Sequence, residues 1–169
     1  MTEIFDVIDI NRNSLHKTVR RGIDPLGDNE YNLAVDVIFV NHQKKLFLQK
    51  RAACKKSYPN FWGPTGGAVQ TGESALQGLI RECEEEIGII PELHNTLTTF
   101  CNIYHHTIIE TRLILQEINL ADLRFQEIEV CTANWLDILE VEKLLENNQI
   151  LPSTIPAVRQ TVEFIKTKL

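Results

Sequence analysis

The sequence predicts an α/β protein, a mixed sheet covered by helices on both faces. Two observations carry that expectation. Apolar, β-branched runs at residues 33–40, 97–105 and 107–118 read as strands, while 75–87, 137–146 and 156–168 repeat their apolar positions at helical spacing. Strands and helices also alternate along the chain, an order that places helices before and after the sheet. A length of 169 residues, with 43% hydrophobic and 24% charged, fits one domain with a full core.

The elements follow in order. Residues 5–10 read as a short strand, and 11–13 as a turn into a partner strand ending near Val19. A Gly/Pro/Asp-rich connection spans 22–29. Residues 33–40 form a probable central strand, which pairs with 46–49 across a turn at 41–45. The glycine-rich stretch Gly63-Pro64-Thr65-Gly66-Gly67 precedes the first helix. There Ser74-x-x-Gln77 makes a capping box, Leu76, Leu79, Ile80, Cys83 and Ile87 form one stripe, and Gly88 with Pro91 ends the helix. The predicted helix is 75–87. Two long strands follow at 97–105 and 107–118, then a strand at 129–136 and a helix at 137–146. A closing helix at 156–168 puts Val158, Val162 and Ile165 on one face. The expected organisation is a hairpin extension at 1–30, a core at 31–145 and a C-terminal helix at 146–169, all in one domain. The sequence shows no repeat and no low-complexity tract.

Composition narrows the function. A net charge of −6 argues against nucleic-acid binding. No apolar run reaches the length of a membrane span, and the first residues lack the pattern of a signal peptide. Cys54, Cys83, Cys101 and Cys131 are scattered without a C-x-x-C pair, which argues for a reducing compartment, the cytoplasm, and against zinc. Residues 44–56 carry Lys44, Lys45, Lys50, Arg51, Lys55 and Lys56 and no acid. They read either as solvated hairpin edges or as cations that hold phosphates.

Glu82, Glu85 and Glu86 stand at i, i+3 and i+4 on one face of the predicted helix, in its last turns. The helix macrodipole disfavours negative charge there, and like charges at i, i+4 add a few tenths of a kcal/mol, roughly, of further cost. A solvated acidic face does not account for this placement beside a glycine-rich turn. A bound divalent cation does, and oxygen ligands at this density suit Mg²⁺.

The stretch from Gly67 to Ile89 reads G-A-V-Q-T-G-E-S-A-L-Q-G-L-I-R-E-C-E-E-E-I-G-I. It matches G-x5-E-x7-R-E-U-x-E-E-x-G-U, where U is a bulky apolar residue, at Gly67, Glu73, Arg81, Glu82, Cys83, Glu85, Glu86, Gly88 and Ile89. Only Cys83 is an uncommon choice. Seven fixed residues at roughly 7% background each give about 10⁻⁸ per start position. The chain therefore resembles the Nudix hydrolase superfamily over about residues 31–145. Phe61-Trp62-Gly63-Pro64-Thr65-Gly66-Gly67 is similar to the family's W-x-x-P-G-G entrance, with Thr65 inserted. Glu129-Val130 followed by Trp135-Leu136 resembles its late strand. Phe5-Asp6-Val7-Ile8-Asp9 with Arg20-Arg21-Gly22 is similar to a bacterial subgroup related to isopentenyl-diphosphate isomerase.

The resemblance implies a Nudix-type α/β/α sandwich and a Mg²⁺-dependent pyrophosphohydrolase, with Mn²⁺ as an alternative metal. Its substrate would be a nucleoside diphosphate derivative, with no nucleic-acid or membrane partner. Glu82, Glu85 and Glu86 would hold metal, with the Gly66 carbonyl as a further ligand. Arg81 and Glu73 would orient the carboxylates. A further carboxylate is expected from Glu127, Glu129 or Glu110, in that order. Arg51 and Lys50 are candidate phosphate contacts, and Trp62 and Tyr104 are candidate faces for a base to stack on. His105-His106 reads as a solvated turn. Two other functions compete: an isopentenyl-diphosphate isomerase-like enzyme and a nucleotide-sensing domain without catalysis. Against the first, no cysteine follows Trp62, and Asn32 stands where a metal histidine is expected. Against the second, every box glutamate is present. The substrate and the oligomeric state stay open, a dimer included.

Overall fold

The computed structural model describes residues 3–169; Met1 and Thr2, which open the expected hairpin extension, lie outside the described residues. Strands β1 (Ile4–Ile8) and β2 (Ser14–Arg20) pair antiparallel as a sheet of their own. β1 stops two residues short of the expected end. The Asp9 carboxylate accepts backbone N–H bonds from Asn11 and Asn13, both at 2.8 Å, and turns the chain there.

The main sheet holds β3 (Asn32–Val40), β4 (Leu46–Arg51), β5 (Trp62–Gly63), β6 (Thr65–Ala68), β7 (Thr96–Tyr104), β8 (Thr107–Leu115) and β9 (Val130–Leu136). Its order is β5-β4-β3-β8-β7, with β6 also on β3 and β9 also on β4. β3 and β8 run parallel, with Asn32 opposite Thr107 and Asp36 opposite Thr111; the other pairs are antiparallel. The sheet is mixed, as expected. Two differences from the expected strands have local causes. β8 ends at Leu115, because the Gln116 side chain turns to the Glu92 N–H at 2.7 Å and the Ile90 carbonyl at 3.1 Å. The glycine-rich stretch supplies β5 and β6 rather than a loop, and β6 pairs with β3 from Ala34 to Val37.

Helix α1 (Ala75–Ile87) covers one face, and α2 (Ile138–Glu146) and α3 (Ile155–Lys168) serve the other. The alternation of β3 decides which side chain goes where. Val35, Val37 and Phe39 pack with Leu79, Cys83 and Ile87 of α1. Ile38 and Val40 pack with Val141, Val158, Val162 and Ile165. Each fully buried aliphatic contributes on the order of 1.5–3 kcal/mol. Asp36 falls on the Ile38 face and is buried. Phe5, Val7 and Val19 of the hairpin form a smaller cluster with Leu26 and Ala68, which fixes β1–β2 beside β6. Among the described residues, no helix is long and apolar enough to cross a membrane.

Candidate active site

α1 begins and ends where its caps demand. The Ser74 hydroxyl accepts from the Gln77 N–H at 3.3 Å, and the Gln77 side chain accepts from the Ser74 N–H at 2.8 Å. At the other end Gly88 takes the left-handed conformation, φ 73°, that closes the helix. This frame points the box acids toward β6. A β-carbon on Gly67 would lie 2.5 Å from the Glu82 carboxylate, and one on Gly66 would lie 2.1 Å from the Val35 carbonyl. Only glycines let α1, β6 and β3 approach this closely.

Arg81 is the hub of the acids. Its Nε donates to Glu73 at 2.7 Å, and its Nη1 donates to Glu82 at 2.8 Å and Glu85 at 3.1 Å. Its Nη2 donates to the Ala68 carbonyl at 2.9 Å and again to Glu73 at 3.1 Å. Arg81 thereby ties α1 to β6 and to the loop before the helix. Glu73, hydrogen-bonded to Arg81, is held below the usual carboxylate range.

Glu86 is held differently. Gln49 Nε2 donates to it at 2.6 Å and the Gly66 N–H at 3.2 Å, while Thr65 Oγ1 donates to Gln49 Oε1 at 3.1 Å. Despite these donors, burial pushes the Glu86 carboxyl up to about 8. Burial, with the Glu82 charge adding to it, pushes Asp36 up to about 7. Glu82 is also raised by burial, against the opposing pull of Arg81. Three acids therefore sit where their own charge is unfavourable.

Such a set of hard oxygens, in which Asp36 and Glu86 have no cationic partner among the described residues, fits a divalent cation. The residues that would hold it are Glu82 and Glu86, with Glu85 and the Gly66 carbonyl beside them. The acids are nonetheless not gathered around one point: among the described residues, no three His, Cys, Asp or Glu side chains converge as a ligand cluster. Arg81 draws Glu82 and Glu85 to one side, and Gln49 draws Glu86 to the other. Glu85 has its side chain 49% exposed, against 13% for Glu82.

A cavity of about 440 Å³ opens beside this cluster. Its floor is the sheet, from Asp36 and Gly66–Gly67 to Asn32 and Thr107, and its walls include the β1–β2 hairpin and the turn before α3. Arg51 and Tyr104, two of the candidate substrate contacts, line it. Tyr58, Asn32 and Asp36 line it too and were not among the expected contacts; Asp36 could have been suspected from a lone acid inside the apolar run Leu33–Val40. Five expected site residues lie elsewhere. Trp62 packs against the α2–α3 core, and the Lys50 ammonium sits over its ring, 5.8 Å from the centroid. Both are spent on packing rather than on the cavity. Glu127 is exposed and off the cavity lining. Glu129 pairs with Lys55, although its charge reaches Glu86. Glu110, the third choice for a further carboxylate, is bound by Arg12 at 2.7 Å and Arg112 at 2.8 Å, away from the cavity lining.

The NUDIX domain pattern matches residues 30–158. An uncharacterized Nudix hydrolase of Listeria monocytogenes is 30% identical over 151 residues, 89% of each chain. A second, from Listeria innocua, is 30% identical over the same share of both chains. Among solved structures, DR0079 from Deinococcus radiodurans superposes with a TM-score of 0.77 at 18% identity, covering 94% of this chain and 99% of that one. A bifunctional NMN adenylyltransferase/ADP ribose pyrophosphatase from Francisella tularensis, solved with AMP and a Mn ion, gives 0.66 at 14% identity, covering 84% of this chain and 43% of that one.

Proposed function

This chain belongs to the NUDIX domain family and is a Nudix hydrolase, and from that premise we propose that it cleaves the diphosphate linkage of a nucleoside diphosphate derivative in a Mg²⁺-dependent reaction. The observation that carries the proposal is that buried Glu86 and Asp36 and half-buried Glu82 lie against the Gly66–Gly67 backbone, beside the cavity that Asp36, Gly66 and Gly67 line. The neighbour solved with AMP and Mn supports the choice of a nucleotide and a divalent metal.

Bound at Glu82, Glu85, Glu86 and the Gly66 carbonyl, the cation would supply Lewis-acid neutralisation of the diphosphate and a more acidic water. The chain does the rest. Arg81, anchored by Glu73, holds Glu82 and Glu85, and Glu82 lies against Gly67 of β6. Gln49 and the Gly66 N–H fix the rotamer of Glu86. One of these glutamates takes, or positions, the proton of the attacking water. Arg51 holds a phosphate. Among the described residues, its guanidinium bonds only the Ser57 carbonyl, at 3.3 and 3.4 Å, and so keeps donors free for an anion, whereas Arg20 and Arg21 of the same cavity are committed to Asp24 and Glu3.

An isomerase moves a proton at carbon. None of the four cysteines lines the cavity, and Cys83 is packed in the core under α1, so no thiol is placed for that chemistry. The four thiols are free, which fits a cytoplasmic enzyme. The test is a panel of nucleoside triphosphates, nucleotide sugars, ADP-ribose and dinucleoside polyphosphates, read as phosphate released after a coupled phosphatase. One class should be cleaved in Mg²⁺ and none in chelator. Cleavage of no member, or cleavage unaffected by chelator, contradicts the proposal.

A further inference from the structure

Glu86 is bonded through one of its two oxygens. Its Oε2 accepts from Gln49 Nε2 at 2.6 Å and from the Gly66 N–H at 3.2 Å; among the described residues, its Oε1 accepts from none. A carboxylate oxygen carries two lone-pair sites, so Oε2 is filled and Oε1 is left for a cation. Both donors are held in place. Gly66 pairs with Asp36 across β6 and β3, so closely that a β-carbon would strike the Val35 carbonyl. Gln49 is buried in β4, opposite Gly63 of β5 and Ala133 of β9.

Thr65 holds the other end of the Gln49 amide. Its hydroxyl lies 3.1 Å from Gln49 Oε1, and the residue is fully buried. The direction of these bonds follows from the acid. A metal-bound carboxylate is ionised and only accepts, so Gln49 must turn Nε2 toward Glu86. Gln49 Oε1 then faces Thr65, and the hydroxyl donates to it. The reversed amide would set Gln49 Oε1 against Glu86 Oε2, two buried acceptors with no proton between them. Chelation of one cation by both Glu86 oxygens would have to evict the Gln49 or the Gly66 N–H and leave that donor buried and unpaired. Glu82 and Glu85 likewise each give one oxygen to Arg81 Nη1.

Resting on the hydrolase reading above, we propose that Gln49 and Thr65 are positioning residues that restrict Glu86 to one-oxygen coordination and thereby select Mg²⁺ over Ca²⁺. Mg²⁺ takes single oxygens in a near-octahedral shell and keeps several waters, which such a glutamate allows. Ca²⁺ takes about six to eight oxygens in a looser shell and commonly gains them from bidentate carboxylates. A glutamate clamped by a strand N–H and a buried amide does not supply the second oxygen. The selection therefore comes from β4 and β6, outside the helix that carries the acids.

The experiment titrates the metal-free full chain with Mg²⁺ and with Ca²⁺, without substrate, and takes each dissociation constant from the rise in melting temperature. Wild type should bind Mg²⁺ at least as tightly as Ca²⁺. Gln49→Met keeps the length of the side chain and removes the donor. It should move the ratio of the two constants toward Ca²⁺ by about 10-fold, the lower end of what an outer partner of a metal ligand is worth. Thr65→Val should move the ratio several-fold in the same direction, whereas Thr65→Ser, which retains the hydroxyl, should keep the wild-type ratio. A merely structural role would weaken both cations alike. Melting temperatures in chelator identify the variants that fold, and Thr65→Val carries the test if Gln49→Met does not. Wild-type preference for Ca²⁺, or a ratio unchanged in the folded variants, overturns the selection and leaves the hydrolase reading, which the substrate panel judges, intact. If wild type binds neither cation, the metal site fails and takes both the selection and the Mg²⁺-dependent reading with it.

Discussion

Glu86 concentrates the opposing demands of this site. It is buried, it accepts from Gln49 and Gly66, and its carboxyl is still pushed up to about 8. Replacement by Gln should lower kcat by at least about 10²-fold, the scale of losing one catalytic group. Glu84, exposed on another face of α1, is the control, and Glu84→Gln should change turnover little. The raised pKa also makes a stability prediction. An acid whose folded pKa exceeds its ordinary 4.5 keeps its proton in the fold after the unfolded chain has lost it. Stability is full below about 4.5 and falls as pH rises toward about 8, where the loss levels off. Asp36 acts in the same direction between 3.8 and about 7. Melting curves in chelator should therefore show a decline from pH 4.5 to 8, and Glu86→Gln should flatten it; a variant with the wild-type slope would show that this carboxyl titrates in the fold as it does in the unfolded chain. The box acids were legible because their spacing is fixed within one helix. Gln49 was not, and Asp36 showed only as a lone acid in an apolar run, because they reach the site from β4 and β3 and sequence spacing does not report contacts across a sheet.

At the scale of the element, α1 and β6 are one device. The helix was legible to the residue, since a capping box and a left-handed glycine mark both ends. β6 was not. Glycines carry no alternation of side chains, so Gly66 and Gly67 read as a turn although both pair with β3. The two termini of α1 should behave differently from its contact with β6. Ser74→Ala should cost roughly 1 kcal/mol through the lost cap, and Gly88→Ala a similar amount through its φ of 73° and the Arg124 Cβ only 3.0 Å away. Neither should abolish turnover. Gly67→Ala should, because the new methyl falls on the Glu82 carboxylate. Denaturation midpoints and kcat measured on all three variants check this. A Gly67→Ala enzyme with near-normal turnover would mean that Glu82 need not lie against β6.

Over the whole molecule, the hairpin extension and the turn before α3 make walls for a cavity that opens beside the acids of α1 and β3 and the glycines of β6. The layered α/β fold was legible from periodicity; the cavity was not, because its walls come from segments far apart in sequence. That distance also explains why Tyr104 was found and Tyr58 missed. A fold that buries three like-charged acids should gain from a cation that binds only the folded state. Millimolar Mg²⁺ should raise the melting temperature by mass action, and should do so less in Glu86→Gln. The most direct test of the central claim is the destination of solvent oxygen. Reaction of the best substrate with Mg²⁺ in ¹⁸O-water should place one label on a single phosphoryl product, while isopentenyl diphosphate in deuterium oxide should keep its carbon-bound hydrogens. Deuterium uptake at carbon, with no ¹⁸O on any nucleotide product, would contradict the assignment of this site to diphosphate hydrolysis.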